Sequence, residues 1–253
     1  MTIEFLPQLA FIFMLIFARV AMIITLMPGV GAQSIPQRIR LTVALLLTLV
    51  LVPVVGDVIP PMPTGIFALI FLVVSEIIVG LFIGMTGSIL TSALQTAGST
   101  IAFQTSLAAA QNTDLSTAVQ GTLVSSLLSI ISLTLIFAMN IHHLVIAAVH
   151  DSYQLFTPGE LMPIGDVVES AVGVFAKAFL IGVQLAAPFI VIGFVFNVGV
   201  GILSRLMPQF QVFLVLLPAN IMIGFFFMFA LIGTMMMWYI EHLRAGLSVF
   251  IVQ

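Results

Sequence analysis

The chain has 253 residues, of which 62% are hydrophobic and only 6% charged. A soluble domain carries about 25% charged residues, so water cannot be the solvent for most of this surface, and a polytopic membrane protein is the class that remains. A net charge of −3 leaves no basic patch for nucleic acid, and the absence of Cys excludes disulfides and Cys-based metal or redox centres.

The N-terminus, "MTIEFLPQLAF", carries Glu4 and no basic region, unlike a cleaved signal peptide. A membrane helix needs about 20 apolar residues, and the charge-poor runs place six of them. They cover roughly Phe5–Met27, Ile39–Val55, Ile66–Leu90, Leu123–Val149, Val172–Leu203 and Val212–Ile240. Turn-rich stretches such as "GDVIPPMPTG" and "HDSYQLFTPGELMPIGD" separate them. Thr91–Gly121 differs: it is small, polar and rich in Gln, Ser and Thr, and it reads as a long loop of the kind that carries function. The expected fold is all-α, with about six long hydrophobic helices in one integral membrane domain over residues 1–253. Pro188, Pro208 and Pro218 each remove an N–H and crowd the preceding turn, so the fifth and sixth spans are expected to be broken or kinked.

Arg38 and Arg40 follow the first span and Arg205 follows the fifth, while Asp151, Glu160, Asp166 and Glu169 crowd the loop before the fifth. With six spans, both basic loops fall on one side, which the positive-inside rule makes cytoplasmic; Arg244 weighs the other way.

Arg19 and Glu76 lie in the middle of apolar runs. Facing lipid, each would cost about 2.5–3.5 kcal/mol. They form either part of an ion relay or a structural polar pair, within the chain or with a neighbouring subunit. Two groups make a short relay, so the structural reading weighs more. His142, His143 and His150 lack the H-E-x-x-H arrangement of a zinc site, where a Glu serves as base between ligands one turn apart. Gly80, Gly84 and Gly87 share one helix face, and Gly193, Asn197 and Gly201 share another. Both suit close helix approach, inside this chain or between subunits. In "GILSRLMPQFQVFLVLLPANI", Arg205, Pro208, Gln209 and Gln211 form a polar corner between two apolar runs, with donors suited to freed carbonyls or to an adjacent subunit.

Four stretches, in order, carry a family resemblance. They are "FARVAMIITLMPGVGAQSIPQRIRLTVALLLTLVLVP" (Phe17–Pro53), "SEIIVGLFIG" (Ser75–Gly84), "NIHHLVIAAVHDSYQLFTPG" (Asn140–Gly159) and "GILSRLMPQFQVFLVLLPANIMIG" (Gly201–Gly224). Across essentially its whole length the chain resembles the FliR/SctT family of type III secretion export-gate subunits. The resemblance implies a gate subunit and no enzyme or cofactor. It implies assembly with FliP and FliQ in the bacterial inner membrane at the flagellar basal body, close to FlhB and FlhA. Unfolded flagellar proteins would pass through the complex. In relatives the loop matching Phe103–Gln120 projects into the pore, so Phe103, Gln104, Leu107, Ala108, Ala109, Ala110, Gln111 and Asn112 are the expected plug residues. The "PGVGAQSIPQRIR" loop resembles flagellar members more than injectisome ones. A small-molecule secondary transporter is the rival reading, since broken helices and a midplane charge pair would suit it.

Overall fold

A computed structural model describes residues 5–29, 31, 35–111, 122–160, 162–207 and 212–252. Among these, every regular element is helical. The helices are α1 (Phe5–Leu26), α2 (Gln37–Val55), α3 (Ile66–Gln104), α4 (Leu107–Gln111), α5 (Leu123–Ala138), α6 (Ile141–Leu155), α7 (Ile164–Leu206) and α8 (Val212–Leu247). Five of them, α1, α2, α3, α7 and α8, are long and apolar enough to cross a membrane, and α5 with α6 makes a sixth candidate as a bent pair. Large apolar side chains such as Phe67 and Phe229 lie almost fully exposed, as suits surfaces that face hydrocarbon or another subunit.

Three expectations need correction. The stretch after Leu90 is not a loop: α3 continues to Gln104. Its polarity is hidden within the helix, because Thr100 Oγ1 donates to the Thr96 carbonyl at 2.8 Å and Thr105 Oγ1 to the Ile101 carbonyl at 2.9 Å. Hydroxyls that return to the carbonyl one turn back cost a helix little in an apolar setting. Ala93, Ala97 and Ile101 meanwhile form a buried stripe at helical spacing.

The fourth run is not one helix. The chain turns by 74° between α5 and α6, where Asn140 adopts the left-handed conformation at φ 58. Asn tolerates that region better than most residues and so serves as a helix terminator.

Nor do Pro188 and Pro218 break their helices, for α7 and α8 run through them. Each proline removes a single hydrogen bond, and in an apolar medium the remaining backbone groups have no better partner than the helix itself. α7 ends at Leu206 and the described part of α8 begins at Val212; Pro208 lies outside the described residues.

Contacts group the chain into two compact units. The first comprises residues 1–90, 136–175 and 243–253. Its core includes Leu15, Ile16, Val20, Ile23, Ile83 and Tyr153. Gly80 and Gly84 let α3 lie against α1, since a Cβ at Gly80 would stand 2.6 Å from the Arg19 carbonyl and one at Gly84 2.8 Å from Leu26 Cβ. That glycine face is therefore used for packing inside this chain. The second unit comprises residues 91–135 and 176–242, with Ala97, Ile101, Leu128, Phe189 and Tyr239 in its core.

Candidate functional site

In the first unit, α1 carries Arg19 and α3 carries Glu76, both essentially without solvent exposure. Arg19 Nε donates to Glu76 Oε2 at 2.6 Å and Nη2 to Oε1 at 3.0 Å, a two-pronged pair. The other guanidinium hydrogens serve the end of α6. Nη1 donates to the Ser152 carbonyl at 2.9 Å and to Ser152 Oγ at 3.3 Å, and Nη2 donates to the Phe156 carbonyl at 3.0 Å. The guanidinium carbon also lies 4.1 Å from the centre of the Tyr153 ring, a cation–π contact. All five N–H donors of the arginine are thus engaged. A positive group at a helix C-terminus also meets the negative end of the helix dipole. Arg19 therefore caps α6 while Glu76 balances its charge.

The second unit solves a similar problem without charge. The last four carbonyls of a helix lack intrahelical donors, and in α3 these belong to residues 101–104. Thr105 N reaches the Ile101 carbonyl at 2.9 Å and Ser106 N reaches that of Phe103 at 3.2 Å. Thr105 Oγ1 lies 3.4 Å from the Ala102 carbonyl. The carbonyl of Gln104 is met from α8, where Asn220 Nδ2 donates to it at 3.1 Å and to Ser106 Oγ at 2.8 Å. A carbonyl only accepts, so it fixes which end of the Asn220 amide faces the turn. Asn220 is 4% exposed.

Gly193 on α7 and Gly224 on α8 close around this turn. A Cβ at Gly193 would stand 2.6 Å from Gln104 Oε1, and one at Gly224 would overlap the Thr105 methyl. Ser106 sits at φ 58, a conformation that costs a non-glycine residue energy and persists only where its surroundings enforce it.

The turn leads into α4 (Leu107–Gln111); residues 112–121 lie outside the described ones, and Thr122 is the next described residue. Thr122 Oγ1 accepts from Ser125 N at 3.1 Å, an N-cap on α5. Ser125 Oγ in turn donates to the Gln95 carbonyl of α3 at 3.3 Å, so both ends of the segment are anchored on α3.

A family comparison bears on what this arrangement serves. Residues 10–246 match the model of the family described as bacterial export proteins, family 1. The chain belongs to this family. The match takes in both polar nodes and the segment between α3 and α5. Similar members include the flagellar biosynthetic protein FliR of Caulobacter vibrioides, 40% identical over 237 residues that cover 93% of this chain and 94% of that protein. The Bacillus subtilis protein of the same name is 28% identical over 218 residues, covering 84% of this chain and 83% of its own. The Escherichia coli protein of that name is 28% identical over 221 residues, covering 84% and 81%.

In this member of the bacterial export family, the expected site residues fall into three sets. Arg19 and Glu76 are brought together. Phe103 and Gln104 are the last turn of α3 and not loop, Leu107, Ala108, Ala109, Ala110 and Gln111 form α4, and Asn112 is outside the described residues. Arg205 sits exposed in the last turn of α7, while Pro208, Gln209 and Gln211 are not among the described residues. Of the α7 glycine face, Gly193 makes a close approach, whereas Gly201 meets nothing within 4 Å. The rings of His142 and His143 lie with centroids 4.2 Å apart, tilted 45° to each other, and His150 Nδ1 lies 2.7 Å from Asp151 Oδ1.

Sequence reasoning missed Ser152, Ser106, Thr122 and Asn220. For Thr122 a signal existed, a Thr directly before an apolar run. For Asn220 the signal was a lone amide inside "LLPANIMIG".

Proposed function

We propose that the chain is a subunit of the membrane gate of a flagellar protein-export apparatus. It sits in the bacterial inner membrane at the flagellar basal body and helps form the channel for unfolded flagellar proteins. The observation that carries this reading is the match over almost the whole chain to proteins named for flagellar biosynthesis. FliP and FliQ are its expected partners in the gate, with FlhB and FlhA as neighbours. Those names favour a flagellar over an injectisome setting.

The segment Phe103–Gln120 is proposed to occlude the channel. Its small, largely uncharged side chains suit a surface past which chains must slide without sticking. Its two anchors on α3 would hold it in place against a pressure of ions or solutes. The Arg19–Glu76 pair supports the gate reading over a small-molecule transporter. Every donor of the arginine is spent on Glu76 and on α6, so none is left to bind a substrate.

Two assays test the proposal. Affinity-tagged protein extracted in mild detergent should bring FliP and FliQ with it; recovery alone or as a homo-oligomer would contradict the reading. Deleting Ala108–Ala110 should leave that co-purification intact and make the membrane leaky to small ions. An intact complex with an unchanged leak would remove the occluding role.

A further inference from the structure

In the first unit, a cleft of about 400 Å³ opens between the last turns of α1 and the start of α2. We propose that it binds the anionic headgroup of a membrane phospholipid, with Arg38 holding the phosphate and Arg40 as a second charge fixed beside it.

Three features lead to this assignment. First, the walls are cationic. Arg38 and Arg40 line the cleft with the polar Gln37 and Thr25, and no carboxylate is among the described residues that line it. Arg40 Nε donates to the Ile35 carbonyl at 3.1 Å, which orients its side chain. The Arg38 side chain is exposed and has no hydrogen-bond or ion-pair partner among the described residues. Its planar fork matches the oxygens of a phosphate. Second, there is room. Small residues, Ala21 from α1 and Ala44 from α2, leave the space between the helices open, and its volume lies in the ~300–1,000 Å³ range of small-ligand sites. Third, the cleft continues into an apolar track. Leu41 lines it, and Leu45 and Leu49 follow at helical spacing on α2, all three exposed. α2 is long and apolar enough to cross a membrane and carries both arginines in its first turn, at headgroup depth. A headgroup held at Arg38 would lay an acyl chain along the leucines. A free phosphate has no use for that track, and an acidic protein segment would bring further charge to it; a phospholipid joins both chemistries in one molecule.

The test uses the tagged full chain, purified in mild detergent with the subunits it brings. It is titrated with phosphatidylglycerol and with phosphatidylcholine, and bound lipid is counted by native mass spectrometry. The wild-type protein should hold the anionic lipid about tenfold more tightly, the ratio that one charge-assisted bond brings. Arg38→Gln, which removes the fork, and Ala21→Leu, which fills the cleft and keeps both charges, should each erase the preference. Inorganic phosphate in excess should not displace the lipid. If Ala21→Leu fails to accumulate, Thr25→Leu fills the same cleft from an exposed position and should act alike. An unchanged preference in Arg38→Gln would overturn the site. A preference lost in Arg38→Gln but kept in the filled-cleft variant would reduce it to diffuse attraction and overturn it too. Displacement by phosphate would reassign the cleft to a free anion. Loss of co-purified subunits from Arg38→Gln, beside an unchanged lipid preference, would give the cleft to a partner's carboxylates instead.

Discussion

At the end of α6 the cap is an arginine whose charge is balanced by Glu76; at the end of α3 it is the neutral amide of Asn220. Both answer the same demand, because a helix that ends in apolar surroundings must find donors for its last carbonyls. The difference lies in what happens when the cap is removed. A buried ion pair that loses one member leaves an uncompensated charge, so the first unit is all-or-none at this node. An amide that leaves exposes only a carbonyl and a hydroxyl, a deficit that water or another peptide can meet.

The largest effect should come from breaking the charged cap. Arg19→Leu or Glu76→Gln should destabilise the fold by about 3–5 kcal/mol, seen as loss of protein from membranes. Exchanging the two charges should hurt less than removing either, because both remain compensated. If Glu76→Gln assembled and exported at wild-type levels, the charged node would have no scaffold role.

Glycine substitutions sharpen the contrast between the two helix contacts. At Gly80 a Cβ would meet backbone, the Arg19 carbonyl at 2.6 Å. Gly80→Ala should therefore cost about 1–3 kcal/mol and disturb the arginine with it. At Gly193 the nearest atom is the mobile end of Gln104, so Gly193→Ala should cost less. Thermal inactivation of the detergent-extracted complex ranks the two, and the reverse order would contradict this packing account.

Asn220→Leu should cost about 1–2 kcal/mol, the range for leaving a buried carbonyl without its donor. The same thermal assay should then show the protein accumulating and assembling. Failure to accumulate on the scale of Arg19→Leu would make Asn220 a scaffold residue too.

The smallest effect is expected at the exposed Arg205. Arg205→Lys keeps the charge and loses the planar fork. Fold stability should not change, while co-purification of FliP and FliQ should fall if the corner faces a partner. Full recovery would leave Arg205 only its part in setting topology.

How legible these regions were follows from the same contrast. Arg19 and Glu76 stood out because charge inside a hydrocarbon-length run demands a partner, and each was the other's only deep candidate. The acceptors on α6 were invisible, since a backbone carbonyl has no identity in sequence. The six apolar runs located the helices, but the end of α3 was misplaced because Thr96 and Thr100 look polar and yet bond within their own helix, and Thr105 bonds back to its last turn. The bend at Asn140 was missed for the opposite reason. Its flanks are apolar, and a single Asn in the left-handed region makes no mark on hydropathy. Of the breaks or kinks expected at proline, the breaks are not found, since Pro188 and Pro218 remain inside continuous helices. Asn220 went unnoticed because an uncharged amide costs too little in an apolar run to announce a role.

One measurement tests the difference between the charged and the neutral cap most directly: the amount of protein in membranes, compared between Arg19→Leu and Asn220→Leu. The account predicts a large loss of Arg19→Leu protein, which leaves Glu76 buried and uncompensated, and near-normal amounts of Asn220→Leu. Equal losses from the two, or the greater loss from Asn220→Leu, would contradict it.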